Sequence, residues 1–311
     1  MKEKQFINSD MSNKNNSRRD FLKKTSLGGL GTALGVSVAI PTFASLNTIE
    51  HSVSAEKLHV KPRYHRWHVN EGAEWLELNT GHANLDWNIP VSQCALVLLD
   101  VWSRHYLKEP TDRAEKIINE KYIPLLKKCR ESGMTVIHAP SPQVAIKHPN
   151  WVKLISDEEL NPRPDAWPPR EFRGLSGPFK DFRRPFEPRE VEIQAMVKPH
   201  QFHPIAMPME GEGVIATGEE LHRYCKQKGI LFLFFAGFNT NACMITRDYG
   251  ALQMNTRGYQ VSVLRDCTTG MENKETQAKL LQTNGALLFF EMFGQYTVTS
   301  DEIITGFSGK A

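Results

Sequence analysis

Strands alternating with helices predict an α/β protein in which a parallel sheet carries helices on both faces. Three observations point there. Two uninterrupted apolar runs, Cys94-Ala-Leu-Val-Leu-Leu99 and Ile230-Leu-Phe-Leu-Phe-Phe-Ala236, suit strands covered on both sides. Ala114, Ile117, Ile118, Tyr122, Leu125, Leu126 and Cys129 recur at helical spacing. Glycines at 133, 229 and 258 stop the periodic segments.

Taken in order, the chain opens with a segment of different character. Ser17-Arg18-Arg19-Asp20-Phe21-Leu22-Lys23 precedes a weakly apolar, Gly-rich stretch from Thr25 to Ile40. This resembles a twin-arginine export signal, with small-residue cleavage sites ending at Ala44 and at Ala55. Export to the periplasm by the twin-arginine machinery is the expectation. The first 44 residues hold seven Lys or Arg against three Asp or Glu, so a chain of net charge +3 becomes one of −1 without them. No basic footprint for nucleic acid remains.

Residues 45–93 read as an N-terminal extension, rich in Trp (67, 75, 87) and His (59, 65, 68, 82), packed on the main domain because three large aromatics are poorly left in water. The main domain, 94–311, begins with the strand Cys94–Leu99, and Met134–His138 follows the first helix as a second strand. Residues 139–190 hold ten of the 18 prolines and read as an inserted excursion without long regular elements. Val191, Ile193, Ala195 and Val197 alternate as a strand that ends at Lys198. Thr217-Gly-Glu-Glu220 has the form of a capping box, opening a helix that Gly229 closes. After the run to Ala236 comes a helix with Ala242, Ile245, Tyr249 and Leu252 on one face. A strand Tyr259–Leu264, a helix over 272–288 and a short strand over 296–299 complete the domain.

Ligands of open parallel sheets bind outside the carboxyl ends of the strands. Asp100 and Lys198 occupy such ends, and Cys243 stands one short turn beyond another. The three types fit nucleophilic catalysis. A thiol is mostly protonated at neutral pH, and a place in the first turn of a helix capped by Asn241, with a cation from Lys198, favours the thiolate. Asp100 can accept the thiol proton, and backbone N–H groups at the helix start can hold an oxyanion. The five cysteines (94, 129, 225, 243 and 267) are odd in number and lack metal-ligand spacing; Cys94 and Cys129 read as core, and Cys225 lies on a helix.

Leu98-Leu-Asp100, Val197-Lys198 and Gly237-Phe-Asn-Thr-Asn-Ala-Cys243, followed by Thr246, Gly258-Tyr259 and Asp266, resemble the isochorismatase-like cysteine hydrolase family over roughly 94–300. The resemblance implies a three-layer αβα sandwich with a six-stranded, mainly parallel sheet. It also implies a catalytic Asp100, Lys198 and Cys243, and a cis peptide between Phe238 and Asn239 that aims the N–H groups of Asn239 and Cys243 at an oxyanion. Relatives that cleave nicotinamide carry an Asp-x-His stretch after the second strand; His138-Ala-Pro-Ser-Pro-Gln lacks it, so no metal and no cofactor are expected. Isochorismatase itself lacks the cysteine, which leaves cleavage of a small amide or ureido C–N bond. Trp102, His138, His200, Phe202 and His203 are candidates to contact the substrate. Self-association is common among relatives, and no pattern here sets a subunit count. A non-catalytic binding protein on the same scaffold, or an enzyme passing its acyl group to an amine, are the competing readings.

Overall fold

The computed structural model describes residues 56–162, 165–196 and 201–307; the segment 1–44, both cleavage sites, Lys198 and His200 lie outside them. Ten strands are present among the described residues: β1 Lys57–Val60, β2 Arg63–Arg66, β3 Gly81–Asn84, β4 Trp87–Pro90, β5 Cys94–Leu99, β6 Thr135–Ala139, β7 Gly213–Val214, β8 Phe232–Phe238, β9 Gln260–Thr269 and β10 Tyr296–Val298. Eight of them form one sheet in the order β3-β2-β10-β9-β8-β5-β6-β7. From β10 to β7 every pairing is parallel. That run is the expected six-stranded parallel sheet. The extension adds β2 and β3 antiparallel at the β10 edge, which raises the count to eight, while β1 and β4 pair as a separate ribbon.

Alternation along the central strands sorts the core into two layers. Leu96 and Leu98 of β5 and Phe234, Ala236 and Phe238 of β8 face one side, with Ile118, Tyr122 and Leu125 of the first helical segment. Ala95, Val97, Leu99, Leu233 and Phe235 face the other, with Leu221 of the helix Gly218–Lys228, Met254 and Phe290. The layered sandwich therefore stands as expected. Pro124 has no N–H to give to the preceding turn, and the helix passes through a π turn at Ile118–Tyr122 before resuming as Ile123–Glu131. Thr217 caps the helix Gly218–Lys228 as read, accepting from the Glu220 N–H at 3.2 Å. The Glu220 carboxylate does not close the capping box. It is buried and instead takes the Trp151 indole N–H at 2.9 Å and the Leu154 and Ala216 N–H groups, holding the inserted excursion to the domain.

Three expectations are corrected. Residues Glu190–Met196 are a helix and not the strand expected there, while Val197 and Lys198 lie outside the described residues. Alternating apolar residues specify a strand only where one face is buried, and Val191 here is 67% exposed. The sixth parallel strand is instead Gly213–Val214. Second, the helix expected to run from Ala242 past Leu252 breaks into Cys243–Thr246 and Ala251–Thr256. Third, Trp87 packs its ring against Phe232 and Tyr296, but Trp75 stands 73% exposed.

Gly237 shows what the sheet requires where β8 reaches the rim. Its φ is +148°, and a Cβ there would lie 1.8 Å from the Leu99 carbonyl oxygen of β5. A side chain would push apart the two strands that carry Asp100 and Cys243. Gly237→Ala is expected to cost on the order of 3 kcal/mol or more by urea unfolding; stability within 1 kcal/mol of the parent would contradict the required close approach.

Candidate active site

Asp100 follows β5 directly. It adopts φ +46°, a left-handed conformation that Asp tolerates better than most residues, and its N–H donates to the Ala139 carbonyl of β6 at 3.0 Å. The turn buries the carboxylate to 4% exposure. Ser141, two residues beyond β6, donates its hydroxyl to Asp100 Oδ1 at 3.0 Å. On the other oxygen, Arg247 places Nε and Nη2 each 3.4 Å from Oδ2, while Nη2 also donates to Ser141 Oγ at 2.9 Å.

Cys243 arrives by a tightly tied turn. Phe238–Asn239 is a cis peptide bond, as the sequence resemblance implied. The Thr268 hydroxyl donates to the Gly237 carbonyl at 2.7 Å and meets the Thr240 hydroxyl at 2.7 Å. The Thr240 N–H donates to the Thr269 carbonyl. Asn241 does not cap the helix. Its amide donates to the Met271 carbonyl at 2.9 Å and accepts the Met271 N–H at 2.8 Å, fastening the turn to the segment after β9. The Asn239 carbonyl accepts the N–H groups of Ala242 and Met244. Cys243 then opens a single helical turn, and Gly250, where a Cβ would lie 2.6 Å from the Met244 carbonyl oxygen, lets the chain fold back under it.

The turn brings the Cys243 thiol beside the Asp100 carboxylate and the Asn239 N–H, close enough for both to act on it. Burial first, then the charge of Asp100, push the thiol up to about 11, against the opposing pull of Arg247 and the Asn239 N–H. Among the described residues the balance therefore keeps the proton on the sulfur, while Lys198, the cation expected to favour thiolate together with the helix start, lies outside them. One turn of helix adds little macrodipole, and the neighbouring carboxylate outweighs it. Among the described residues, neither the Asn239 nor the Cys243 N–H donates to a backbone carbonyl.

Lys198 and His200 lie outside the described residues. Of the other candidates, His138 is buried with Nε2 on Glu212 at 2.8 Å; burial lowers its pKa despite that partner. Glu212 is held at about 2, because although burial raises it, hydrogen bonds from His138 and Arg130 prevail. His203 is also spent on the scaffold, with Nε2 3.2 Å from Glu115 and Nδ1 accepting the Ile205 N–H. Both rings are thus tied to the scaffold through Nε2. Trp102 is buried with its ring on Phe238 at 5.2 Å and pairs in an isolated bridge with Phe202, whose ring meets His148. Cys94, Cys129, Cys225 and Cys267 are buried free thiols, and burial pushes the first three up to about 12. Among the described residues, no three His, Cys, Asp or Glu side chains cluster to hold a metal ion.

Sequence reading missed Ser141 and Arg247. Arg247 stands four residues after Cys243, one helical turn away, and that spacing was the available signal.

The sign of the thiol shift is testable. Asp100→Asn removes the negative charge that holds the proton on Cys243, so alkylation by iodoacetamide at pH 8.5 is expected to quicken about tenfold. The other four thiols stay silent because they are buried. Slower alkylation than the parent would reverse the assigned sign.

A family model, the isochorismatase domain, matches residues 94–291. No curated protein matches the chain. Similar solved structures include a cysteine hydrolase from Pseudomonas syringae pv. phaseolicola 1448A, 16% identical with TM-score 0.46, the alignment covering 70% of this chain and 94% of that one. An isochorismatase from Pseudomonas putida KT2440 is 16% identical with TM-score 0.41, covering 68% and 91%. N-carbamoylsarcosine amidase from Thermoplasma acidophilum is 15% identical with TM-score 0.38, covering 68% and 98%. The family model spans more than half of the 311 residues, from β5 through the segments that carry Asp100 and Cys243, and the chain belongs to the isochorismatase family of hydrolases.

Proposed function

We propose that this protein is an exported cysteine hydrolase that cleaves the C–N bond of a small amide or ureido compound. The observation that carries the reading is the convergence of Cys243 and the buried Asp100 carboxylate at the ends of the paired strands β8 and β5, where the charge of Asp100 acts on the thiol. It pairs a nucleophile with a base before any substrate arrives.

In this reading the sulfur attacks the carbonyl carbon as its proton passes to Asp100. The oxygen, now negative, is held by the N–H groups of Asn239 and Cys243. Asp100 returns the proton to the departing nitrogen, and ammonia or an amine leaves. The thioacyl bond that remains is cleaved by water, with Asp100 accepting the water proton and the thiol recovering its own. Lys198 takes the part the family resemblance gives it, orienting the substrate and stabilising the sulfur as charge develops. A protonated resting thiol suits this order of events, because the proton transfer is coupled to attack.

Export rests on the Arg18-Arg19 segment and its cleavage sites. Among the described residues no helix is long and apolar enough to cross a membrane.

A panel of amides and ureido acids, assayed for ammonia, tests the chemistry. At least one member is expected to be turned over, with Cys243→Ala lowering kcat by at least about a thousandfold while circular dichroism is unchanged. Full turnover by that variant would remove the mechanism, and ligand binding without turnover by the parent would favour a binding protein on this scaffold. Lys at both 18 and 19 is expected to abolish recovery from the periplasmic fraction; undiminished recovery would contradict twin-arginine export.

A further inference from the structure

Arg247 is only partly used by the contacts that surround it. Its Nε and Nη2 approach Asp100 at 3.4 Å, well beyond the 2.7–2.9 Å of a closed charge-assisted hydrogen bond. Elsewhere in this fold an arginine of similar exposure closes on its carboxylate: Arg130 grips Glu212 at 2.7 and 3.0 Å through the same two nitrogens. The difference is not one of access, since the Arg247 side chain is 31% exposed and that of Arg130 is 26%. Nη1 of Arg247 makes no side-chain or backbone hydrogen bond among the described residues. The guanidinium is steadied by Ser141 and by the Tyr249 ring, 5.9 Å from Cζ, whose own hydroxyl is anchored on the Pro140 carbonyl. A fixed, half-exposed fork with unspent donors therefore stands beside the nucleophile, close enough for its charge to act on the thiol.

We infer that Arg247 selects the substrate, by binding a carboxylate that lies near the scissile carbonyl. The inference rests on the hydrolase reading and narrows it to a small anionic amide or ureido acid. A carboxylate matches the planar fork in a way that a neutral amide does not. The position sets the distance: the anion must lie within one or two carbons or nitrogens of the carbonyl attacked by Cys243, because the guanidinium stands only 3.4 Å from the base that serves it. Arg247 also neutralises Asp100, so a site holding a carboxylate base can accept a second negative group without leaving two like charges unbalanced.

The test uses matched pairs: succinamate against butanamide, and N-carbamoylglycine against N-propylurea. The parent protein is expected to favour the anion of at least one pair by about 100-fold in kcat/KM, and Arg247→Gln is expected to bring that preference within about threefold. Arg247→Lys keeps the charge without the fork and should retain an intermediate preference. An equal fall for both members of a pair in Arg247→Gln would overturn the inference, leaving the arginine as a partner of Asp100 alone. Calorimetric binding of the same four compounds to full-length Cys243→Ala needs no turnover. Preferential binding of an anion there, lost on adding Arg247→Gln, supports the inference even if the hydrolytic reading fails; equal or absent binding of anion and neutral partner, in a protein that turns over neutral amides, overturns it while leaving that reading intact.

Discussion

A part-buried thiol beside a buried carboxylate sets the terms for everything around it. The pair holds its proton on the sulfur: raising the Cys243 thiol to about 11 corresponds to on the order of 3 kcal/mol relative to its ordinary value. A buried carboxylate is itself costly unless charge and hydrogen bonds satisfy it. Ser141 and Arg247 answer that requirement, and both come from segments that reach the same rim of the sheet. In the proposed mechanism, substrate shifts this balance toward Asp100 by placing an electrophilic carbon on the sulfur and a developing oxyanion under backbone N–H groups.

The geometry depends on adjacent strands arriving in register. β5 and β8 pair from Cys94 with Phe232 to Leu99 with Gly237, so their ends come out side by side. Gly237 permits the contact, and the threonines 240 and 268 together with the Asn241 amide lock the following turn to β9 and the residues beyond it. Three neighbouring strand ends thus fix one sulfur. This is why the site can be rigid although its helix is a single turn, and why the residues that hold it are small and polar.

Much of this was legible in the sequence where local pattern and burial agree. The uninterrupted apolar runs of β5 and β8 are covered on both faces, so their hydrophobicity reports their place directly. The Gly-x-x-Thr-Asn-x-Cys motif placed Cys243 beyond β8, and Asp100 beyond β5 followed from the end of an apolar run. Where pattern and burial part, reading failed. The alternation from Val191 has no covered face to express, so it coils as a helix. The strands β2 and β3 at one side of the sheet are only half buried and between them carry Arg, Tyr and His, which gives no period-2 signal. The spacing from Cys243 to Arg247 was visible, but its contacts with Asp100 and Ser141, 147 and 106 residues away, are ones that only the tertiary fold creates. His138 and His203 looked available for substrate, yet their glutamate partners, 74 and 88 residues away, are contacts that only the tertiary fold creates.

The account stands or falls on whether the sulfur of Cys243 becomes covalently acylated when the protein turns over a substrate. Acid quenching within the first turnovers, followed by intact-mass and peptide analysis, measures this directly. The account predicts a mass increase equal to the acyl or carbamoyl portion of the substrate, confined to the peptide that contains Cys243 and absent after turnover is complete. Rapid product formation with no adduct at any quench time, or an adduct mapped to another residue, would contradict it.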